Sequence, residues 1–226
     1  VKGGPEAIAN SACDGLRLYR VPRSDNQRAQ EDVPNKGWEV SNPESAVHFS
    51  ATGFFFARQL QKSLNIPVGC IESAYGGASV VAFMSPEAVN EYKNEKGEKI
   101  TKYFKDFKAP AYGEKYDWPQ HTPTVIYNSM INPILKYNIK GAIWYQGCDD
   151  RRTPDLYKKL FYTFLNDWRS KWECGKWPMY YAQIAPYGYN DNTCARMREA
   201  QEQIESEKDS ALMICLMDNG LEKNIH

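Results

Sequence analysis

Residues 140–150 read KGAIWYQGCDD: an apolar run, Ala142 to Tyr145, that passes without a break into Gln146, Gly147, Cys148, Asp149 and Asp150. A short run of β-branched and aromatic residues bounded by glycine predicts a buried strand. A core strand has no need of such a polar tail, so its carboxyl end is expected to serve a ligand. Four further runs predict strands: LRLYRV (16–21), IPVGCIES (66–73), PMYYAQIA (178–185) and ALMICLM (211–217). Helical stretches fall between them at 50–63, 85–95, 128–136, 153–171 and 195–208. The second opens SPEAV, with Ser as cap, Pro at the first helical position and an early Glu. This alternation predicts an α/β domain whose mostly parallel sheet carries helices on both faces. Ligands of such sheets bind beyond the carboxyl ends of the strands. That places ESAYGG (72–77), QGCDD (146–150), QIAPY (183–187) and DNGLEKNIH (218–226) on one rim. The stretches 22–45 and 93–123 read as long surface loops that shape a site.

The 226 residues suit one large domain and carry 28 Lys+Arg against 28 Asp+Glu. A balanced chain has no long-range field to draw in nucleic acid or an anionic membrane, and neither is expected as a partner. No apolar run reaches the roughly 18 residues of a membrane span. The start of the chain lacks the pattern of a signal peptide. Cys13, Cys70, Cys148, Cys174, Cys194 and Cys215 form no Cys-x-x-Cys pair and no ligand spacing with the three histidines, so no metal is expected. Cys70 and Cys215, inside apolar runs, are expected to be small buried hydrophobes.

Gly76 and Gly77 follow a strand, which suits a backbone that turns tightly and presents N–H groups to a ligand. They belong to no phosphate loop, and Ser73 lacks the Gly-x-Ser-x-Gly elbow. Gln146 is a neutral donor at a strand tip, and Gly147 behind it leaves room for a substrate. Such a donor can hold an oxyanion without losing a proton. Cys148 precedes two acids, which raise a thiol pKa and argue against a nucleophile. Of the histidines, His48 reads as a capping or packing residue beside a helix start, and His121 as a surface residue between Pro119 and Pro123. His226 closes the loop after the last strand, on the rim expected to be functional, and is the best placed as a base.

IPVGCIESAYGGASVVAFMSPEA, YNSMINPILKYNIKGAIWYQG, DLYKKLFYTFLNDWRSKW, PMYYAQIAPY and MREAQ, in this order over nearly the whole chain, resemble the sialate O-acetylesterase family of the Ser-Gly-Asn-His hydrolase superfamily. The resemblance implies a three-layer α/β/α, flavodoxin-like hydrolase domain that removes O-acetyl groups from sugars, sialic acids or related glycans, with no cofactor. It implies a glycine N–H of Gly76 or Gly77 and the Gln146 side chain, with Gly147, in the oxyanion and substrate-binding site, and His226 as the base. The orienting acid is Asp218, Glu222 or a backbone carbonyl, with Asp218 favoured because it sits directly at the strand end. The family's nucleophile lies in a Gly-Gln-Ser-Asn-Met motif that 1–226 does not contain. The first strand and that motif are therefore expected upstream of residue 1, with 1–226 forming most of one esterase domain that is inactive alone. Many relatives carry Glu-Ser-Asn where this chain has Cys148, Asp149 and Asp150, which leaves those three side chains without an assigned role. A periplasmic or secreted location follows from the family alone. The alternative reading is a noncatalytic carbohydrate-binding domain of the same fold, with Tyr75, Tyr145, Tyr187 and Tyr189 as its aromatic rim. A flavodoxin-like flavin or nucleotide binder fits the strand pattern but lacks a glycine-rich phosphate loop.

Overall fold

The computed structural model describes residues 3–94, 96–99, 118–187, 191–206 and 209–218. The chain divides into two compact units, one of Val1–Arg23 with Asp32–Ala74, the other of Ser24–Glu31 with Tyr75–His226. All five expected strands form, and each unit has its own three-stranded sheet.

In the first unit the helices are α1 (Gly4–Ala9), α2 (Pro43–Ala46) and α3 (Ala51–Leu64). The central strand β1 (Cys13–Arg20) pairs antiparallel with β2 (Glu39–Ser41) and parallel with β3 (Val68–Glu72). Helix α3 starts where the Ser50 hydroxyl accepts from Gly53 N–H and ends on Asn65, whose left-handed backbone is a common C-terminal stop. It buries Phe54 and Ala57 against Leu16, Leu18, Ala46 and Phe49. Ser50 makes the cap and His48 is exposed, so the capping or packing role expected of His48 is not filled. Strand β2 and all but the last residue of helix α2 lie in 22–45, read above as loop. A three-residue strand is too short to show alternation, and α2 is a single turn held by the Asn42 side chain.

In the second unit β4 (Ala142–Tyr145), β5 (Met179–Ala182) and β6 (Ala211–Ile214) run parallel in that order. Helix α4 (Pro86–Glu91) precedes them, and the crossovers are α5 (Pro154–Trp172) and α6 (Thr193–Glu202). Helix α5 buries Tyr157, Leu160, Phe161, Phe164, Leu165, Trp168 and Trp172. Steps of three and four residues make one apolar stripe. Trp144 of β4 packs on this stripe, 4.5 Å from the Phe164 ring centre and 5.1 Å from that of Phe83. The opposite face of β4 is open, with Ile143 37% and Tyr145 49% exposed. The strand expected to be buried is thus half-buried on one face and exposed on the other, since alternate side chains point to opposite faces of a sheet.

The helix expected over 128–136 becomes a π-helical turn, Tyr127–Ile131, followed by a 3₁₀ turn, Asn132–Ile134. Pro133 has no N–H to continue an α-helix and its ring crowds the preceding turn. The Ser129 hydroxyl also bonds back to Val125 O at 2.7 Å. All six cysteines are free. Cys70 is half-buried, its thiol pushed up to about 12 by burial and then by Glu72. Cys215 is exposed rather than buried, since it stands one residue past β6. Among the described residues no helix is long and apolar enough to cross a membrane.

Candidate active site

The rim of the second unit is assembled around one turn, 75–79. Gly77 adopts a positive φ of 70°, a conformation that favours glycine. A side chain on Gly76 would meet nothing within 4 Å, while one on Gly77 would touch Gln120 Nε2 at 3.7 Å, so the turn is open at Gly76. The N–H groups of Gly76 and Gly77 donate to no described residue.

The turn is held from the tip of β4. Gln146 Nε2 donates to Ala78 O at 2.9 Å and to Asp150 Oδ2 at 2.7 Å. Asp150 is buried and also accepts from the Ser79 hydroxyl at 2.5 Å and from Val80 N–H at 2.8 Å. Burial pushes its carboxyl above the usual range, against the pull of Ser79, Val80 and Gln146. The far side of Gln146 is fixed as well, since Tyr157 OH donates to its Oε1 at 2.9 Å. Gln201 Nε2 donates to the Gln146 carbonyl at 3.0 Å, while Gln201 Oε1 accepts from Ile184 N–H at 2.9 Å. A single, largely buried network therefore ties α5, α6 and the end of β5 to the glycine turn.

Gly147 is glycine for a steric reason. Its φ is 132°, and a Cβ there would lie 3.0 Å from Gln201 Nε2 and from Ile184 Cγ2. The residue lets this network close and is itself buried, so the room it leaves is filled by protein atoms. Cys148 is half-buried with its thiol pKa raised, by burial first and by Asp149 only weakly. That agrees with its exclusion as a nucleophile. Gln183 is buried and structural, its amide donating to Arg198 O at 3.1 Å.

A second group reaches the turn from 118–121. His121 Nε2 lies 3.0 Å from Gly77 O and 2.9 Å from Asp149 Oδ2. Both partners are acceptors in these contacts, so Nε2 carries the proton. Burial raises the Asp149 carboxyl pKa, and the His121 charge and hydrogen bond oppose that rise. His121 was expected to be an ordinary surface residue; it is partly exposed, yet it braces the glycine turn. Asp149 and Asp150, given no role from sequence, both hold this turn.

Of the residues expected to act, Gly76, Gly77, Gln146 and Gly147 come together here. Asp218 is exposed in the turn after β6. His226 and the competing acid Glu222 lie outside the described residues, as does Tyr189. Sequence reasoning missed Ser79, His121, Asp150, Tyr157 and Gln201. The one local signal was the acidic pair ending QGCDD at a strand tip; the partners stand 55 to 71 residues from Gln146 or Asp150 for Gln201, Ala78 and Ser79. Among the described residues no cluster of three or more His, Cys, Asp or Glu is arranged to hold a metal ion.

The arrangement thus sets paired glycine N–H groups on a turn braced by a Gln at the end of a parallel strand. The fold is that of a crystal structure of a carbohydrate acetylesterase from Xanthomonas citri, with a TM-score of 0.81 and 26% identity over 99% of this chain and 48% of that one. A protein from Arabidopsis thaliana shares the fold alone, at a TM-score of 0.52 and 13% identity, over 93% of this chain and 74% of that one. Sialate O-acetylesterases from Homo sapiens and Pongo abelii are 26% and 25% identical over 178 residues, 75% of this chain and 32% of theirs. Residues 23–226 match the family model described as carbohydrate esterase, sialic acid-specific acetylesterase, and the chain belongs to that family. It spans about a third of the length of these curated relatives.

Proposed function

We propose that the protein containing this chain removes O-acetyl groups from sugars by two-step serine acyl transfer. The observation that carries this reading is the pair of N–H groups at Gly76 and Gly77, which donate to no described residue, on a turn that is open at Gly76 and braced by Gln146 and Asp150. The nucleophilic serine lies outside 1–226. It attacks the acetyl carbonyl as its proton passes to His226, oriented by Asp218, Glu222 or a backbone carbonyl. Gly76 or Gly77 N–H and the Gln146 amide receive the oxyanion. The sugar hydroxyl then leaves with the proton from His226, water adds to the acyl-enzyme with His226 again as base, and acetate departs. Both Gln146 N–H groups are engaged by Ala78 O and Asp150, so the bond to Ala78 O is exchanged for a stronger, charge-assisted one to the oxyanion.

The test is hydrolysis of an aryl acetate and of an O-acetylated sugar by the full-length protein across pH 5 to 9. Activity is expected to rise through a pKa of about 6.5 and to be abolished by His226→Ala. A folded full-length protein that binds acetylated sugars without releasing acetate would favour the noncatalytic binding domain instead.

A further inference from the structure

We infer that Trp118 is a stacking platform for a second sugar unit, the neighbour of the acetylated one, so that the site takes an acetylated oligosaccharide rather than a lone sugar. The inference rests on the esterase reading of the Gly76–Gly77 turn for what is bound beside it. Trp118 is 63% exposed. A single exposed aromatic is unremarkable on a protein surface; this one differs in being held. Its ring lies nearly parallel to that of His121, 16° apart with centres 5.7 Å from each other. His121 is in turn pinned by Gly77 O and by Asp149. A rigid, amphipathic ring loses little conformational freedom when a ligand stacks on it. A pyranose offers the matching chemistry, one face of C–H groups for the indole and a rim of hydroxyls for acceptors. An acceptor stands close by: Asp149 uses Oδ2 for His121, and its Oδ1 accepts from no described residue.

The chain of contacts points to which sugar is bound. His121 meets Gly77 O with the edge of its ring and Trp118 with its face, so the indole joins the glycine turn through His121 and touches neither glycine directly. With the acetylated unit on Gly76 and Gly77, the indole falls to the next unit of the glycan. Nothing in this argument requires charge on the glycan, and the indole face favours a neutral ring.

The experiment compares wild-type full-length protein with Trp118→Ala and Trp118→Phe. Two substrates are used: an O-acetylated monosaccharide and the same acetylated sugar inside a trisaccharide. Trp118→Ala is expected to lower the preference for the trisaccharide, as the ratio of kcat/KM values, by roughly 3- to 10-fold through KM, the size of an aromatic stacking contribution. Trp118→Phe is expected to restore part of it. An unchanged ratio in Trp118→Ala would overturn the inference. Titration of the deacetylated trisaccharide into the same variants gives a readout that needs no turnover. If no ester is hydrolysed, weaker binding in Trp118→Ala still supports the platform, and equal binding contradicts it.

Discussion

Asp150 and Asp167 are buried carboxylates at the two ends of one segment, 79–85, and they use the same local device. Asp150 accepts from the Ser79 hydroxyl and from Val80 N–H, while Asp167 accepts from the Ser85 hydroxyl at 2.6 Å and from Ser85 N–H at 2.7 Å. What these bonds lead on to separates them. Ser85 goes on to cap α4 through Ala88 N–H, so the Asp167 end joins one helix to another. Asp150 takes a bond from Gln146, so its end joins the segment to the strand tip and the glycine turn. The same chemistry serves the fold at one end and the candidate site at the other. A buried acid is thus informative about function only through what its acceptors leave free nearby.

Asp150→Ala should have the largest effect. It strips an acceptor from three buried donors, each worth about 1–3 kcal/mol when left unpaired, and should lower stability by roughly 3 kcal/mol or more, read by denaturant unfolding. The sharper pair is Asp150→Asn against Asp167→Asn. Each sets an amide NH₂ against donors and should cost about 1–3 kcal/mol of stability. In the full-length protein only Asp150→Asn should also lower kcat, by roughly 10- to 100-fold, because it loosens Gln146 and the turn. Equal loss of kcat in both would break the distinction.

The smallest effect is in the pH dependence of stability. Burial raises the pKa of both carboxyls above the ordinary value of 3.8, so the folded state holds their protons to higher pH than the unfolded state does. Their contribution is therefore full below the unfolded pKa and is lost as pH rises through the raised folded value. Unfolding free energies measured from pH 4 to 6 should show this downward component in the wild type. Each Asn variant should show less of it, and an unchanged slope in both would rule these two groups out as its source.

Much of the fold was legible because its signals are local. The strand runs and the Ser85 cap are written within a few residues of one another. The short elements β2 and α2 were not, since three or four residues carry no period. The turn at 127–134 was missed because Pro133 and Ser129 override an apolar pattern that otherwise suits a helix. At the site, Gly76, Gly77 and Gln146 could be singled out as a turn and a strand tip. Asp150 and His121 could not, because their meaning lies in contacts to residues 70 and 44 positions away.

The measurement that tests the account most directly is acetate release from an O-acetylated sugar by full-length Gln146→Ala beside the wild type, with folding followed in both. Removing the amide leaves Ala78 O, the Tyr157 hydroxyl and Asp150 short of a partner, so a stability loss of about 1–3 kcal/mol is expected. Among molecules that remain folded, kcat should fall by about 10²- to 10³-fold, the loss of one oxyanion donor. Wild-type kcat in a folded Gln146→Ala protein would contradict the assignment of this turn as the oxyanion site.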